Sequence, residues 1–103
     1  MAQCKITVLE RTFNKELVEQ YIREDRRMSF GPCELFHEGQ EFITDVFTSL
    51  PQGFCPWAWD DIYKSLIFLA TGDGSGTVYR DTNVVIACCT DGLRPVFFRL
   101  EKL

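Results

Sequence analysis

The stretch Pro56–Ala70, PWAWDDIYKSLIFLA, is the main helical pattern in this 103-residue chain and decides its fold. Proline suits the first helical position because its missing N–H would lack an intrahelical partner there anyway. Gly72 follows the expected end of the helix, where glycine commonly terminates helices. Apolar residues occur on nearly every side of this segment, so we expect a helix covered on more than one face, in a central position or against a partner subunit.

Two further elements are predicted near the N-terminus. The segment Cys4–Glu10 alternates between apolar and polar residues, which predicts a strand with one apolar face. Asn14 is a suitable N-cap for a helix over Lys15–Arg26. The apolar stripe expected on that helix consists of Leu17, Val18, Tyr21 and Ile22.

The remaining strands are predicted from two hairpin patterns. Leu35–His37 and Gln40–Ile43 flank a glycine turn, which indicates a short hairpin. Val84–Cys89 is apolar on both faces and predicts a central strand, and Pro95–Leu100 predicts the last strand. The order β-α-ββ-α-ββ predicts one α+β domain over residues 1–103. Its mainly antiparallel sheet packs on the central apolar helix, and one N-terminal helix is added.

Composition excludes several classes of protein. The net charge of −4 argues against nucleic-acid binding, which requires a basic face. The longest apolar runs fall far below the roughly 20 residues that span a bilayer, so no membrane insertion is expected. Met1–Lys5 lacks a signal-peptide pattern, which predicts a cytoplasmic protein. The nine Phe, three Tyr and two Trp favour either a dense core or a self-association surface, and we expect a homo-oligomer.

Four of the five cysteines lie at turns or element ends, namely Cys33, Cys55 and the pair Cys88-Cys89. An odd number of cysteines without a secretion signal disfavours a disulfide framework. Cys88 and Cys89 point to opposite faces of a strand, so only one of them can join a shared site. Cys4 is expected to pack within its strand. Each cysteine also has a simpler interpretation, because free cysteine packs like a small hydrophobic residue.

Cys55 is the candidate nucleophile or acid/base. As the residue before Pro56 it becomes the N-cap, where its sulfur faces the positive end of the helix dipole. That environment favours the thiolate form needed for attack or for metal ligation. His37 and Asp91 are the candidate catalytic partners, although a plain structural role for a cysteine at this position is equally open.

A metal site is the alternative use of the same thiols. Cys33, Cys55 and Cys89, with His37 as a fourth ligand, would suit zinc or an iron–sulfur cluster. No Cys-x-x-Cys pair supports it. The adjacent Asp60 and Asp61 diverge by about 100° on a helix and are expected to be cap or surface residues.

Three other side chains are candidate ligand-binding residues. Trp57 and Trp59 lie two positions apart on the predicted helix, so they cannot share a face. We therefore expect one of them in the core and the other at a pocket or subunit interface. Arg94 is expected either to close a turn with Asp91 or to contact an anion at a pocket rim.

Several segments together carry a resemblance to a family of small uncharacterised conserved prokaryotic proteins of about 100 residues, common in anaerobes. The matching segments are GPCELF with GQEF (31–36 and 39–42), PQGFCPWAW (51–59) and CCTDGLRPV (88–96). Lys5–Leu9 adds to the match, which spans nearly the whole chain. The resemblance implies that cysteines at positions 33, 55 and 89 and the Asp91-Gly92 turn belong to the family pattern. It implies no particular reaction.

Three functional hypotheses follow from the sequence. The first is a binding or accessory protein with a pocket at Cys33, Cys55 and Cys89 for a metal, a cluster or a small ligand, with a larger enzyme as an alternative partner. The second is a small thiol enzyme that uses Cys55. The third is an interaction module in which the cysteines only pack. Limited size favours the first, because a chain this short has little room for both a core and an enclosed active site.

Overall fold

The computed structural model describes residues 3–47 and 50–103, so Met1 and Ala2 of the segment tested for a signal peptide lie outside it. The α+β fold expected from the sequence is confirmed. Within the described residues, no helix combines the length and apolar character needed to cross a bilayer. The strands are β1 (Gln3–Arg11), β2 (Glu41–Asp45), β3 (Val84–Cys88) and β4 (Val96–Lys102), and the helices are α1 (Lys15–Tyr21), α2 (Pro56–Thr71) and a 3₁₀ helix at Glu24–Ser29.

The four strands form one antiparallel sheet in the order β2-β1-β4-β3. The N-terminal and C-terminal strands are therefore the central pair, with Ile6 opposite Leu100. The prediction of a central strand over Val84–Cys89 is wrong, because among the strands that the structure describes β3 pairs only with β4 and forms an edge. Ile86 and Cys88 are exposed on its outer face, whereas Val85 and Ala87 on the inner face are partly buried and pack against the core.

One face of the sheet carries the core. The predicted alternation of β1 is confirmed, with its inward residues almost fully buried. Strand β4 contributes a second inward row that lies beside it in the sheet. A fully buried aliphatic side chain stabilises the fold by roughly 1.5–3 kcal/mol, so these rows supply much of the folding energy. The inward residues are Cys4, Ile6 and Val8 of β1, and Val96, Phe98 and Leu100 of β4.

Helix α2 begins and ends as its sequence predicts. Pro56 occupies the first turn, and Gly72 follows the last residue. A Cβ atom at Gly72 would lie 2.8 Å from the carbonyl oxygen of Phe68, so a larger residue would disturb this end. Ala58, Ile62, Leu66 and Leu69 form its buried face, while Trp57 and Phe68 remain exposed.

The N-terminal helix is shorter than predicted. Helix α1 ends at Tyr21, and Ile22 and Arg23 adopt extended ψ angles near 139° before the 3₁₀ helix. Of the expected apolar stripe only Val18 is buried in α1. Because helices in proteins depend mainly on packing of an apolar face, a longer helix would gain little stability here. Asn14 makes no side-chain cap bond, and its side-chain amide nitrogen donates to the carbonyl of Gly92.

The predicted hairpin over residues 35–43 is also wrong in its first half. Leu35–His37 forms no strand, and β2 begins at Glu41 and pairs with β1. The N–H of Gly39 donates to the carbonyl of Val8, and the N–H of Val8 donates to the carbonyl of Gln40. Gly39 has φ = 84°, a left-handed conformation that suits glycine. The turn at Gly39 therefore brings the chain alongside β1, and β2 begins directly after it.

The packing of α2 on the sheet predicts the outcome of a pair of alanine substitutions. Leu66→Ala removes a fully buried side chain and should lower the free energy of unfolding by about 2–5 kcal/mol. Phe68→Ala, on the same helix but 70% exposed, should change it by less than about 0.5 kcal/mol. Urea unfolding measures both, and equal losses would contradict the buried face assigned to α2.

Candidate functional site

Three of the five cysteines line one small pocket, which we call the thiol pocket. Its volume is about 160 Å³, and it is mostly apolar. Larger grooves of about 390 Å³ lie beside α1 and beside Phe68, but both are more open to solvent. The lining residues of the thiol pocket are Cys33, Leu35, Phe36, Cys55, Trp57, Ala58, Cys89, Asp91, Arg94 and Val96.

Different parts of the chain supply these walls. Cys33 comes from the loop between the 3₁₀ helix and β2, and Cys55 is the N-cap of α2. Cys89 directly follows β3, and Arg94 lies just before β4. The thiols at positions 33, 55 and 89 thus line the same pocket, and their use as a functional site stays a prediction.

Aromatic residues next to the cysteines hold their segments on the core. The ring centroid of Phe36 lies 5.0 Å from that of Phe54 and 5.2 Å from that of Phe98. Phe54 immediately precedes Cys55, and its ring centroid lies 5.6 Å from that of Phe98. Such edge-on and tilted pairs add stability beyond the area they bury. The cluster therefore fixes the Cys33 and Cys55 segments against β4.

Cys89 is held by a backbone hydrogen bond. The N–H of Val96 donates to its sulfur at 3.3 Å, and the N–H of Cys89 donates to the carbonyl of Val96 at 3.1 Å. Its neighbour Cys88 is exposed on the opposite face, as strand alternation predicts. Cys4 is fully buried within β1, and burial raises the pKa of its thiol although Lys102 opposes the effect. Cys4 is thus a packing residue, as expected.

Asp91 and Arg94 form the polar rim of the thiol pocket. Asp91 accepts hydrogen bonds from the backbone N–H groups of Leu93 and Arg94, and its other oxygen lies 3.1 Å from Nε of Arg94. Burial raises the pKa of Asp91, but the Leu93 N–H and the Arg94 guanidinium outweigh it and the net pKa is lowered. The turn-closing role expected for Asp91 is therefore present, together with an ion pair at the pocket.

A chain of hydrogen bonds ties the start of α2 to the turn after β3. Nε1 of Trp57 donates to the hydroxyl oxygen of Thr90 at 2.9 Å. The hydroxyl and backbone N–H of Thr90 both donate to Asp61, at 2.9 and 2.7 Å. Asp61 is therefore a bridging residue, whereas Asp60 is exposed. This chain fixes the Trp57 side of the thiol pocket relative to the Cys89 side.

Two of the candidate residues lie outside the pocket lining. His37 is exposed just before the Glu38–Gly39 turn, and its backbone N–H donates to the side-chain oxygen of Gln40. Cys55 lines the thiol pocket and His37 does not, so the proposed Cys55–His37 pair does not share this pocket. Trp59 packs against Phe54 and Tyr63 at 6.0 and 5.3 Å between ring centroids. Of the two tryptophans, Trp57 is the pocket residue and Trp59 packs against the core.

The metal hypothesis gains no geometric support. Within residues 3–47 and 50–103, no three side chains of His, Cys, Asp or Glu are arranged so that they could hold a metal ion. The set of Cys33, Cys55, Cys89 and His37 is therefore not a ligand cluster in this structure. One reason is the position of His37 outside the pocket.

Sequence reasoning did not identify Arg11 as a positioning residue. One terminal nitrogen of Arg11 donates to the carbonyl of Cys33 at 2.8 Å, and its Nε lies 3.0 Å from Glu38. These contacts connect the end of β1 to both ends of the Cys33–Glu38 segment. No local pattern distinguishes this arginine from others in the chain, since its partners lie far away in sequence.

The ion pair at the rim predicts a pH-dependent effect of Asp91→Asn. Because the folded-state pKa of Asp91 is below its ordinary value of 3.8, its charge stabilises the fold above about pH 4, and this contribution is lost as the pH falls further. We expect Asp91→Asn to cost about 1 kcal/mol at neutral pH and much less below pH 4. Urea unfolding at several pH values measures this. A loss equal at pH 7 and pH 3 would contradict it, and the exposed Asp60→Asn is the control.

Comparison with known proteins identifies no relative from which a function can be transferred. Neither the protein-family models nor the curated proteins and solved structures contain a match to this chain. The family resemblance carried by the cysteine-containing segments stays a prediction. The thiol pocket is accordingly the basis on which a function can be argued.

Proposed function

We propose that this protein is a binding or accessory protein that holds a small, largely apolar molecule in the thiol pocket. The observation that carries this proposal is the lining itself, in which Cys33, Cys55 and Cys89 share one apolar pocket with the Asp91–Arg94 pair. An apolar pocket with a few convergent polar groups is the usual form of a small-molecule site.

The size of the pocket limits its occupant. Pockets for drug-sized ligands enclose about 300–1,000 Å³. Apolar cavities of about 150 Å³ bind benzene, which is close to the 160 Å³ of the thiol pocket. The proposed ligand, or the part of it that enters, is therefore about as large as one six-membered ring.

The thiols suit this ligand as soft, polarizable walls. Cys33 and Cys55 are partly exposed, so both can meet a molecule that enters from solvent. Enzymatic use of Cys55 would require a proton acceptor. His37 lies outside the pocket lining, and Asp91, which is in the lining, is already paired with Arg94. Binding therefore explains the arrangement with fewer additional requirements than catalysis does.

Occupancy of the pocket should protect its cysteines from alkylation. Benzene at millimolar concentration should slow the reaction of Cys33 and Cys55 with iodoacetamide several-fold, because the ring occupies the space that the reagent needs. Peptide mass spectrometry after timed quenching measures each cysteine separately. Cys55 should also react far faster than the buried Cys4 in the absence of benzene.

Another cysteine of the same protein is the control for this experiment. Cys88 is exposed on the other face of the sheet and should react at the same rate with and without benzene. Naphthalene, which is too large for about 160 Å³, should protect much less than benzene. Unchanged labelling of both Cys33 and Cys55 in the presence of benzene would overturn the proposed function.

A further inference from the structure

We infer that the ligand of the thiol pocket is a small monocarboxylate, whose carboxylate binds the guanidinium of Arg94 while its apolar body occupies the pocket. This inference rests on the proposed function and adds the chemical class of the ligand. It follows from the way in which Arg94 is held, from the state of its neighbour Asp91 and from the location of both at an otherwise apolar pocket.

The guanidinium of Arg94 is oriented from two sides. Its Nε lies 3.1 Å from Asp91, and its central carbon lies 5.2 Å from the centre of the Phe30 ring. Contact with an aromatic face is favourable for a guanidinium and restricts its plane. Within the part of the chain that the structure describes, no hydrogen bond uses the two terminal nitrogens of Arg94. These nitrogens form the fork that binds carboxylates in a bidentate manner.

Asp91 does not compete for this fork. One of its oxygens already accepts the N–H groups of Leu93 and Arg94, and the other is bonded to Nε of Arg94. Three donors therefore compensate the charge of Asp91, and only one of them, Nε, belongs to the guanidinium. The terminal edge of Arg94 is left for a second anion, and about 40% of the side chain is exposed to admit it.

The rest of the pocket excludes a highly charged ligand. Arg94 is the single cation among its lining residues, and Asp91 is the single carboxylate. A ligand with two or more negative charges would place the additional charge against apolar walls, which is unfavourable. One carboxylate joined to an apolar body of about ring size matches both parts of the site.

The first test compares two probes that differ in charge but share a ring. Benzoate should bind about tenfold more tightly than benzyl alcohol at pH 7, and Arg94→Gln should abolish the difference while benzyl alcohol still binds. Arg94→Lys keeps the charge without the fork and should retain only part of the preference. Titration followed by NMR measures these weak affinities, and Arg80→Gln, an exposed arginine outside the pocket lining, is the control.

The outcomes of this titration separate the two proposals. Equal binding of benzoate and benzyl alcohol by the unaltered protein would overturn the carboxylate inference and leave the apolar pocket standing. Failure of both probes to bind would overturn the proposed function. A preference for benzoate that survives in Arg94→Gln would show that another group binds the carboxylate, and would overturn the assignment to Arg94.

The second test uses the thiols as reporters. Iodoacetate and iodoacetamide alkylate cysteine by the same displacement, in which sulfur bonds to carbon, iodide leaves and the thiol proton passes to solvent. A thiolate repels the anionic reagent, so iodoacetamide should be the faster reagent at the exposed Cys88. At Cys33 and Cys55 the ratio of iodoacetate to iodoacetamide rates should be roughly tenfold higher than at Cys88, because Arg94 attracts the carboxylate.

Cys88 is the internal reference for this measurement, and Cys4 reports whether a variant is folded. Arg94→Gln should reduce the ratio at Cys33 and Cys55 to that of Cys88 and leave Cys88 unchanged. If a variant unfolded, Cys4 would also become reactive, which the same peptide analysis reveals. The same ratio at all three cysteines in the unaltered protein would overturn the inference.

Discussion

The aromatic cluster on the inner face of the sheet is the constraint on which the thiol pocket depends. Phe98 of β4 provides the fixed surface, and Phe36 and Phe54 pack on it from two loops. Phe42 of β2 joins them, with its ring centroid 4.9 Å from that of Phe54. Loops carry high conformational entropy, so the positions of Cys33 and Cys55 would be poorly defined without these large apolar anchors. The pocket is thus an extension of the core to the surface.

Hydrogen bonds also fix the segments that line the thiol pocket. Arg11 fixes the backbone at Cys33, and the Trp57–Thr90–Asp61 chain fixes the start of α2 relative to the turn after β3. Each such bond contributes only about 0.5–1.5 kcal/mol to stability. Their main effect on the site is to orient the segments, because the orientation determines which side chains line the pocket. A site on a small domain needs this support, since few layers of structure surround it.

The parts of the site that could be predicted are those determined by local geometry. The cap position of Cys55 follows from the adjacent Pro56, and the opposite directions of Cys88 and Cys89 follow from strand alternation. The fold class followed from the order of the elements, because strand and helix patterns are local. The position of His37 could not be predicted, since it depends on the pairing of Gly39 and Gln40 with Val8, a contact between distant segments.

The errors in the fold have the same origin. Charged residues after Tyr21 are good helix formers, but without an apolar face to pack they do not continue α1. The edge position of β3 could not be predicted from its sequence, because strand order is a property of the whole sheet and not of the composition of one strand. Composition indicated how much of β3 is apolar, while topology decided which half of it is covered.

The thiol pocket exists only where segments distant in the chain have come together, because the turn at Cys33, the start of α2 and the hairpin of β3 and β4 all contribute to it. None of these segments alone retains the arrangement. Any occupant must therefore bind the native state in preference to the denatured ensemble, and its binding energy adds to the cooperativity of folding. At a ligand concentration one hundred times its dissociation constant, this linkage would raise stability by about 2.7 kcal/mol. That is a large share of the 5–15 kcal/mol by which proteins are typically stable, so the cellular lifetime of this protein would depend on the abundance of any molecule that binds in the pocket.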